Sequence, residues 1–194
     1  MKKEKKIAIL LLTIFFISLG STIYAYAVNS IMLDAAYVKQ QKTNWCWAAA
    51  AENAVIYERT NKYTQKDAVA KIYGSAVNVS GSLADSKAAA EYISNYNEDY
   101  SYINGRNSYS ALRNRINNKH CVMVAGGYYV NNVRNGGHMV LMFGYIDGTT
   151  PTSNGYIRYY DSEDGSRHLS YYDSFCNGSY NGRQYDQTVF NISK

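Results

Sequence analysis

The hydrophobic periodicity of the chain changes near Lys119, and this change restricts the fold more than any other feature of the sequence. Segments before Lys119 have the spacing of helices, whereas later segments are short runs rich in Val, Ile, Tyr and Phe. Gly, Asn, Asp and Ser separate those later runs, as is typical of strands joined by turns. Helices followed by strands indicate an α+β fold, in which a helical layer packs on an antiparallel sheet.

Capping residues mark the helices of the first part. Thr64 with Asp67, and Ser82 with Asp85, form two capping-box pairs, and Gly74 is a helix stop. The four predicted helices cover residues 44–58, 64–74, 82–97 and 108–119. The predicted strands cover residues 121–130, 138–146, 155–161, 167–173 and 187–193.

The first 27 residues have the pattern of a secretory signal peptide, with a lysine-rich start, an apolar run and small residues before a cleavage site after Ala27. An uncleaved anchor is the weaker alternative, because a membrane span needs roughly 20 apolar residues. We therefore expect a secreted, bacterial protein without a stable membrane anchor after cleavage. Residues 28–194 form one domain, with a helical lobe at about 40–119 and a sheet lobe at about 120–194.

The net charge of the chain gives no reason to expect nucleic acid as a partner. The whole sequence has a net charge of +5, but four lysines and one glutamate belong to the signal segment. The remaining chain has a net charge of +2, which steers no ligand strongly.

Three cysteines, Cys46, Cys121 and Cys176, are an odd number for a secreted chain, so at least one thiol is free or pairs between molecules. A Cys121–Cys176 disulfide is one arrangement. The alternative is that Cys121, in an apolar run, is a small buried hydrophobic residue.

Cys46 lies between Trp45 and Trp47, directly before a run of four alanines. A cysteine at a helix start faces unpaired N–H groups and the positive end of the helix dipole, and both stabilise a thiolate. The residues therefore predict a reactive thiol at the start of the first helix.

His138 is the histidine best placed to support this thiolate, because it follows two glycines and begins an apolar strand. His120 and His168 are expected to be satisfied core or surface residues. Asp161 ends a predicted strand, and we expect it to accept the Nδ1–H of His138. Asp164 is the competing carboxylate.

The stretches "QQKTNWCWAA", "GGHMVLMFGY" and "YYD" together resemble the papain-like cysteine peptidases, and among them the compact bacterial staphopains and bacteriocin-leader peptidases. Gln40 stands six residues before Cys46, which is the spacing of the oxyanion-hole glutamine in that family. Trp47 follows the cysteine as in papain, and Trp45 precedes it as in the staphopains. The glycine-rich surround of papain's cysteine is missing, and Asp161 stands where papain has asparagine.

The resemblance implies a papain-like fold with a central nucleophile helix, and a role for each residue. Cys46 attacks the substrate carbonyl, His138 protonates the leaving amine, and Asp161 orients His138. Gln40 and the backbone N–H of Cys46 form the oxyanion hole, and Gln41 ranks below Gln40 on spacing. The resemblance also implies that Trp47 packs where the lobes meet and that Trp45 lines the cleft, with plain core packing as the alternative for both.

The expected function is a secreted cysteine peptidase that needs no cofactor or metal and acts on a protein or peptide substrate. Only about 12 residues separate the cleavage site from Gln40, so we expect control by a separate inhibitor protein or by redox state. Alternatives are a cell-wall peptide or amide hydrolase with the same triad, an acyl transferase, and a non-catalytic toxin-like or adhesive module.

Overall fold

A computed structural model describes residues 28–150, 153–178 and 181–193 of the chain. The predicted signal peptide lies outside these ranges. Within them, every helix is too short or too polar to cross a lipid bilayer.

The helices of the first half begin as their start signals predict, whereas the third ends at Ile93 and not at residue 97, because Asn95 and Tyr96 have positive φ. In the described ranges the helices are α1 (Cys46–Glu58), α2 (Gln65–Tyr73), α3 (Leu83–Ile93), α4 (Tyr109–Asn117) and α5 (Tyr172–Cys176). Both predicted capping boxes are present, with Thr64 bonded reciprocally to Asp67 and Ser82 to Asp85. Gly74 ends α2 with a φ of 79°, a left-handed conformation that glycine adopts without strain.

The strands form one antiparallel sheet, so the α+β prediction is confirmed. The strands are β1 (Ser30–Met32), β2 (Tyr100–Ile103), β3 (Val122–Val130), β4 (Val133–Ile146), β5 (Tyr156–Asp161), β6 (Ser166–Tyr171) and β7 (Gln184–Asn191). They are ordered β2-β7-β3-β4-β5-β6, and β1 pairs with β4 beside this row.

The division into a helical first half and a sheet second half was wrong in three places. Strands β1 and β2 come from the first half and join the sheet by pairing with β4 and β7. Helix α5 lies in the second half, at residues predicted partly as strand. Such short strands have too little periodicity to predict, because their pairing is decided by partners far along the chain.

Helix α1 is the centre of the molecule. Its residues from Trp47 to Val55 are all buried, because helices α2 and α3 and strand β4 surround it. The alanine run has no side chains large enough to hold these elements apart, so α1 is a core helix without a polar face. This packing fixes the start of α1, and with it Cys46, against β4.

Candidate active site

Cys46 is the first residue of α1, and its thiol is only partly buried. The N-cap Trp45 contributes no side-chain hydrogen bond. The sulfur instead interacts with the side chain of His138 and with the backbone N–H groups of Met139 and Trp47. Burial raises the pKa of the Cys46 thiol, but these contacts outweigh burial and lower it below the ordinary value.

His138 lies on β4, and its imidazole bridges Cys46 and Asp161. The Nε2 atom is 2.7 Å from Oδ1 of Asp161, and both side chains are buried. Burial lowers the pKa of His138, whereas the contacts with Asp161 and Cys46 raise it and prevail. The arrangement favours an imidazolium beside a thiolate.

The expected contact between Asp161 and Nδ1 of His138 was wrong, because Asp161 takes Nε2. An imidazole that bridges two groups offers one nitrogen to each, so Nδ1 is left for the side of Cys46. The ring's orientation on β4 decides this assignment, and residue spacing does not encode it.

Asp161 ends β5, the strand beside β4, as the sequence predicted. Its Oδ1 also accepts the backbone N–H of Glu163 at 2.9 Å, which holds the following turn. The competing Asp164 lies away from His138 and contacts His168 at 2.9 Å. The structure therefore brings Asp161, and not Asp164, to His138.

The other two histidines are outside this constellation. His120 contacts Glu58 with 3.1 Å between Nδ1 and Oε1. His168, besides its contact with Asp164, stacks on the ring of Tyr159. Both are partly exposed and fit the structural roles expected of them.

Gln40 is held beside the turn that follows Asp161, and its amide group is hydrogen-bonded to neighbouring residues. Its Nε2 donates to the carbonyls of Lys42 and Thr43 at 3.1 and 3.0 Å. Its Oε1 accepts the hydroxyl of Ser162, and its backbone N–H donates to the Ser162 carbonyl. Both amide hydrogens are therefore engaged in this conformation.

A buried pair from α1 and α2 fixes the backbone on both sides of Gln40. The side chain of Gln65 accepts the N–H of Gln41 and donates to the carbonyl of Lys39. Glu52 accepts both the backbone and side-chain N–H of Gln65. The backbone of Gln41 thus supports the segment, a role that spacing could not reveal.

A cavity of about 130 Å³ opens beside the thiol. Its lining includes Cys46, Trp47, Gly81, Gly137 and His138. Gly81 lies so close to the Trp47 indole that a Cβ there would be 2.4 Å from the ring. Only a glycine therefore leaves the indole in its place at the edge of the cavity.

The expectation that Trp45 lines the cleft was wrong. Trp45 is buried, and its Nε1 donates to the carbonyl of Val77 at 2.8 Å. Trp47 faces the cavity instead, because residues two apart along a helix project about 200° apart.

A second cavity of about 250 Å³ is lined by Gln40, Gln41, Lys42, Thr43 and Glu163. Its polar lining contrasts with the glycines and the indole of the first cavity. Glu163 belongs to the histidine's surroundings as well, with 3.9 Å between its Oε2 and Nδ1 of His138. Glu163 was not predicted as a site residue. Its only signal in the sequence is that it is a carboxylate two residues after Asp161.

His138, Asp161 and Glu163 are also a group whose ligand-type atoms lie within 4.8 Å of one another. The 2.7 Å separation of Nε2 and Oδ1 is a hydrogen-bond distance, shorter than two ligands of one metal ion normally keep. This geometry fits a histidine oriented by a carboxylate better than a metal centre.

Cys121 and Cys176 are both buried free thiols. The disulfide between them that the sequence allowed is therefore not formed. Cys121 packs beside the hydroxyl of Tyr37, and Cys176 interacts with Tyr172. Burial raises the pKa of both thiols, which makes them far less reactive than Cys46.

The chain matches one protein family and is similar in structure to known proteins. Residues 32–191 match one protein family, described as the Peptidase_C39 like family. No curated protein matches the chain. Among solved structures, the chain is similar to one titled "Crystal structure of UfSP from C.elegans", with a TM-score of 0.49 and 11% sequence identity. That similarity covers 91% of this chain and 36% of the other, so the chain spans about a third of that protein's length.

Proposed function

The chain belongs to the Peptidase_C39 like family of cysteine peptidases, and on that premise we propose that it hydrolyses peptide bonds through Cys46, His138 and Asp161. The bridge that His138 makes between the Cys46 thiol and the Asp161 carboxylate carries the proposal. A partly buried thiol at a helix start, open to a cavity and next to a buried histidine–carboxylate pair, is the arrangement that activates a thiol as a nucleophile.

In the proposed reaction, the Cys46 thiolate attacks the carbonyl carbon of the scissile peptide bond. The Nδ1–H of His138 then passes its proton to the leaving amine as the carbon–nitrogen bond breaks, and a thioester remains. His138 takes a proton from a water molecule, whose oxygen attacks the thioester, and the breaking carbon–sulfur bond releases the carboxylic acid and restores the Cys46 thiolate beside the His138 imidazolium. Asp161 holds the ring through Nε2 and stabilises its charged form.

We assign the oxyanion hole to the backbone N–H of Cys46 and the side chain of Gln40. The amide hydrogens of Gln40 bond the Lys42 and Thr43 carbonyls, so Gln40 must release one of them to serve substrate. Both hydrogen bonds are exposed to solvent, which makes this exchange inexpensive. We expect Gln40→Ala to lower kcat about 100-fold and Gln41→Ala to have little effect.

Selective labelling of the thiol tests the proposed nucleophile. At about pH 6 an ordinary thiol is almost wholly protonated and therefore reacts slowly with iodoacetamide. We expect modification of Cys46, mapped by mass spectrometry, and a large loss of labelling in His138→Ala. Equal labelling of Cys46 in both proteins would contradict the thiolate–imidazolium pair.

Digestion of two substrates tests the reaction itself. We expect the protein to cleave casein and Cys46→Ser to be inactive. Cleavage of purified murein in place of casein would favour the cell-wall hydrolase, and inactivity towards both would favour a non-catalytic module.

We also propose that the protein is exported, because residues 1–27 have the composition of a signal peptide. Expression in a bacterial host tests this proposal. An N-terminus at Val28 in the medium is expected, and retention of the full-length chain in the cells would contradict it.

A further inference from the structure

Glu163 is a charged residue beside His138, and the proposed mechanism gives it no role. Its carboxylate lies 3.9 Å from Nδ1 of His138 and 3.9 Å from Nη2 of Arg183, and its side chain is 58% exposed. Neither distance is that of a hydrogen bond, so the carboxylate oxygens are available to a ligand. The backbone N–H of Glu163 is fixed by Asp161, which keeps the residue at this place while its side chain reaches solvent.

The position of Glu163 assigns it to one side of the scissile bond. Nδ1 of His138 is the atom that hands a proton to the leaving amine, so the leaving segment must pass next to it. Glu163 lines the cavity that also contains Gln40, and its Oε2 is 3.9 Å from this nitrogen. The residue that follows the scissile bond would therefore meet Glu163.

The other charged groups nearby are already engaged. Lys42 lines the same cavity, but its ammonium bonds the carbonyl of Ala76 and lies over the indole of Trp45. Arg183 is largely buried, and its guanidinium covers the ring of Tyr128. Glu163 is thus the acidic side chain among the residues that line this cavity.

We propose that Glu163 selects substrates whose leaving segment begins with a positively charged residue. The inference rests on the proposed peptidase function and adds the class of substrate. A cationic side chain directly after the scissile bond would pair with the carboxylate, and an acidic one would be repelled. Because Glu163 acts on the substrate, it is a specificity-determining residue and not part of the catalytic series.

Peptides that differ only at this position test the proposal. Three internally quenched peptides have Lys, Gln or Glu after the scissile bond, and mass spectrometry verifies the cleavage point. In low salt we expect kcat/KM for the Lys peptide to exceed that for the Glu peptide about fivefold to tenfold. Glu163→Gln should bring this ratio close to one, and Glu163→Lys should invert it.

Asp164→Asn is the matched control, because Asp164 is the next carboxylate along the chain and contacts His168 instead of His138. We expect it to leave the ratio unchanged. If Glu163→Gln lowers kcat/KM equally for all three peptides, Glu163 supports the histidine and the proposal is overturned. A wild-type ratio near one overturns it as well.

Charged thiol reagents separate this proposal from the peptidase function. The rates at which a cationic and an anionic methanethiosulfonate modify Cys46 depend on the local field and require no peptide cleavage. We expect the cationic reagent to be favoured in the wild type, with the ratio of rates falling several-fold in Glu163→Gln but not in Asp164→Asn. Equal ratios in all three proteins would overturn the proposal, whereas inactivity towards peptides with the expected labelling would refute only the peptidase function.

Discussion

At the scale of single residues, His138 has most of its properties determined by its partners. Burial alone would lower the pKa of its imidazole, and the Asp161 carboxylate and the Cys46 sulfur reverse that effect. The contact with His138 likewise lowers the pKa of Cys46 despite its burial. Substitutions at the partner positions should therefore change pH dependence as well as rate.

Replacing Asp161 separates its geometric role from its charge. The carboxamide introduced by Asp161→Asn can still accept the Nε2–H of His138, so we expect a loss of about tenfold in kcat/KM, against about 100-fold in Asp161→Ala. Without the carboxylate charge the pKa of His138 falls, so the imidazolium is lost at lower pH. The alkaline limb of the kcat/KM profile of Asp161→Asn should move to lower pH, and an unmoved limb would contradict this role.

Glu52 illustrates a buried carboxylate whose charge is unfavourable. Burial raises its pKa, although the two hydrogen bonds from Gln65 oppose the shift. A raised pKa in the folded state contributes stability below the ordinary pKa, and that contribution is lost as the pH rises through the folded value.

Glu52→Gln retains an oxygen acceptor and removes the charge. Relative to the wild type, we expect the variant to gain stability as the pH rises from about 4 to 7, on the order of 1 kcal/mol. Urea unfolding at both pH values measures the difference. A difference that is independent of pH would show that the charge of Glu52 does not matter.

At the scale of elements, the helix ends are built from interactions between near neighbours. Helices α2 and α3 each begin with a reciprocal capping box, and α2 ends at a left-handed glycine. The capping contacts join residues three apart in sequence, which is why the helix starts were predictable.

Removing one cap should destabilise the protein. We expect Ser82→Ala to lower the free energy of unfolding by about 1 kcal/mol, because the N–H of Asp85 loses its acceptor. Ser75→Ala is the control, since Ser75 is exposed and caps no helix. Equal unfolding midpoints for the two variants would contradict the capping role.

At the scale of the whole molecule, the fold is held together without a disulfide between its described residues. Cys121 and Cys176 are buried as free thiols in separate parts of the core, and Cys46 is at the site. Stability therefore depends on packing around α1 and the sheet, and not on the redox conditions.

Thiol counting checks this arrangement. We expect Ellman's reagent to react rapidly with one thiol per native chain, at Cys46, and with all three after denaturation. The unfolding temperature should be the same with and without a reductant. A fall in that temperature on reduction would indicate a disulfide, such as the one first considered between Cys121 and Cys176.

Sequence reasoning predicted the fold class, the helix starts, the thiol at the start of α1 and the pairing of His138 with Asp161. It missed β1 and β2, because short strands are stabilised by partners more than 80 residues away in sequence. It also exchanged the two ring nitrogens of His138 and placed Trp45 at the cleft, although Trp45 is buried. Those errors concern side-chain direction, which spacing does not specify.

The sequence by itself determined whatever depends on contacts within a few residues: the capping boxes, the turns, and the position of Cys46 at the start of a buried helix. Only the tertiary structure decided which nitrogen faces the thiol, which tryptophan lines the cavity, and that Glu163 lies beside His138. The physical reason is the distance along the chain between the residues that interact. Caps and helical spacing are local, whereas the site forms where α1, β4 and the turn after β5 meet, and the packing of the whole domain sets those distances.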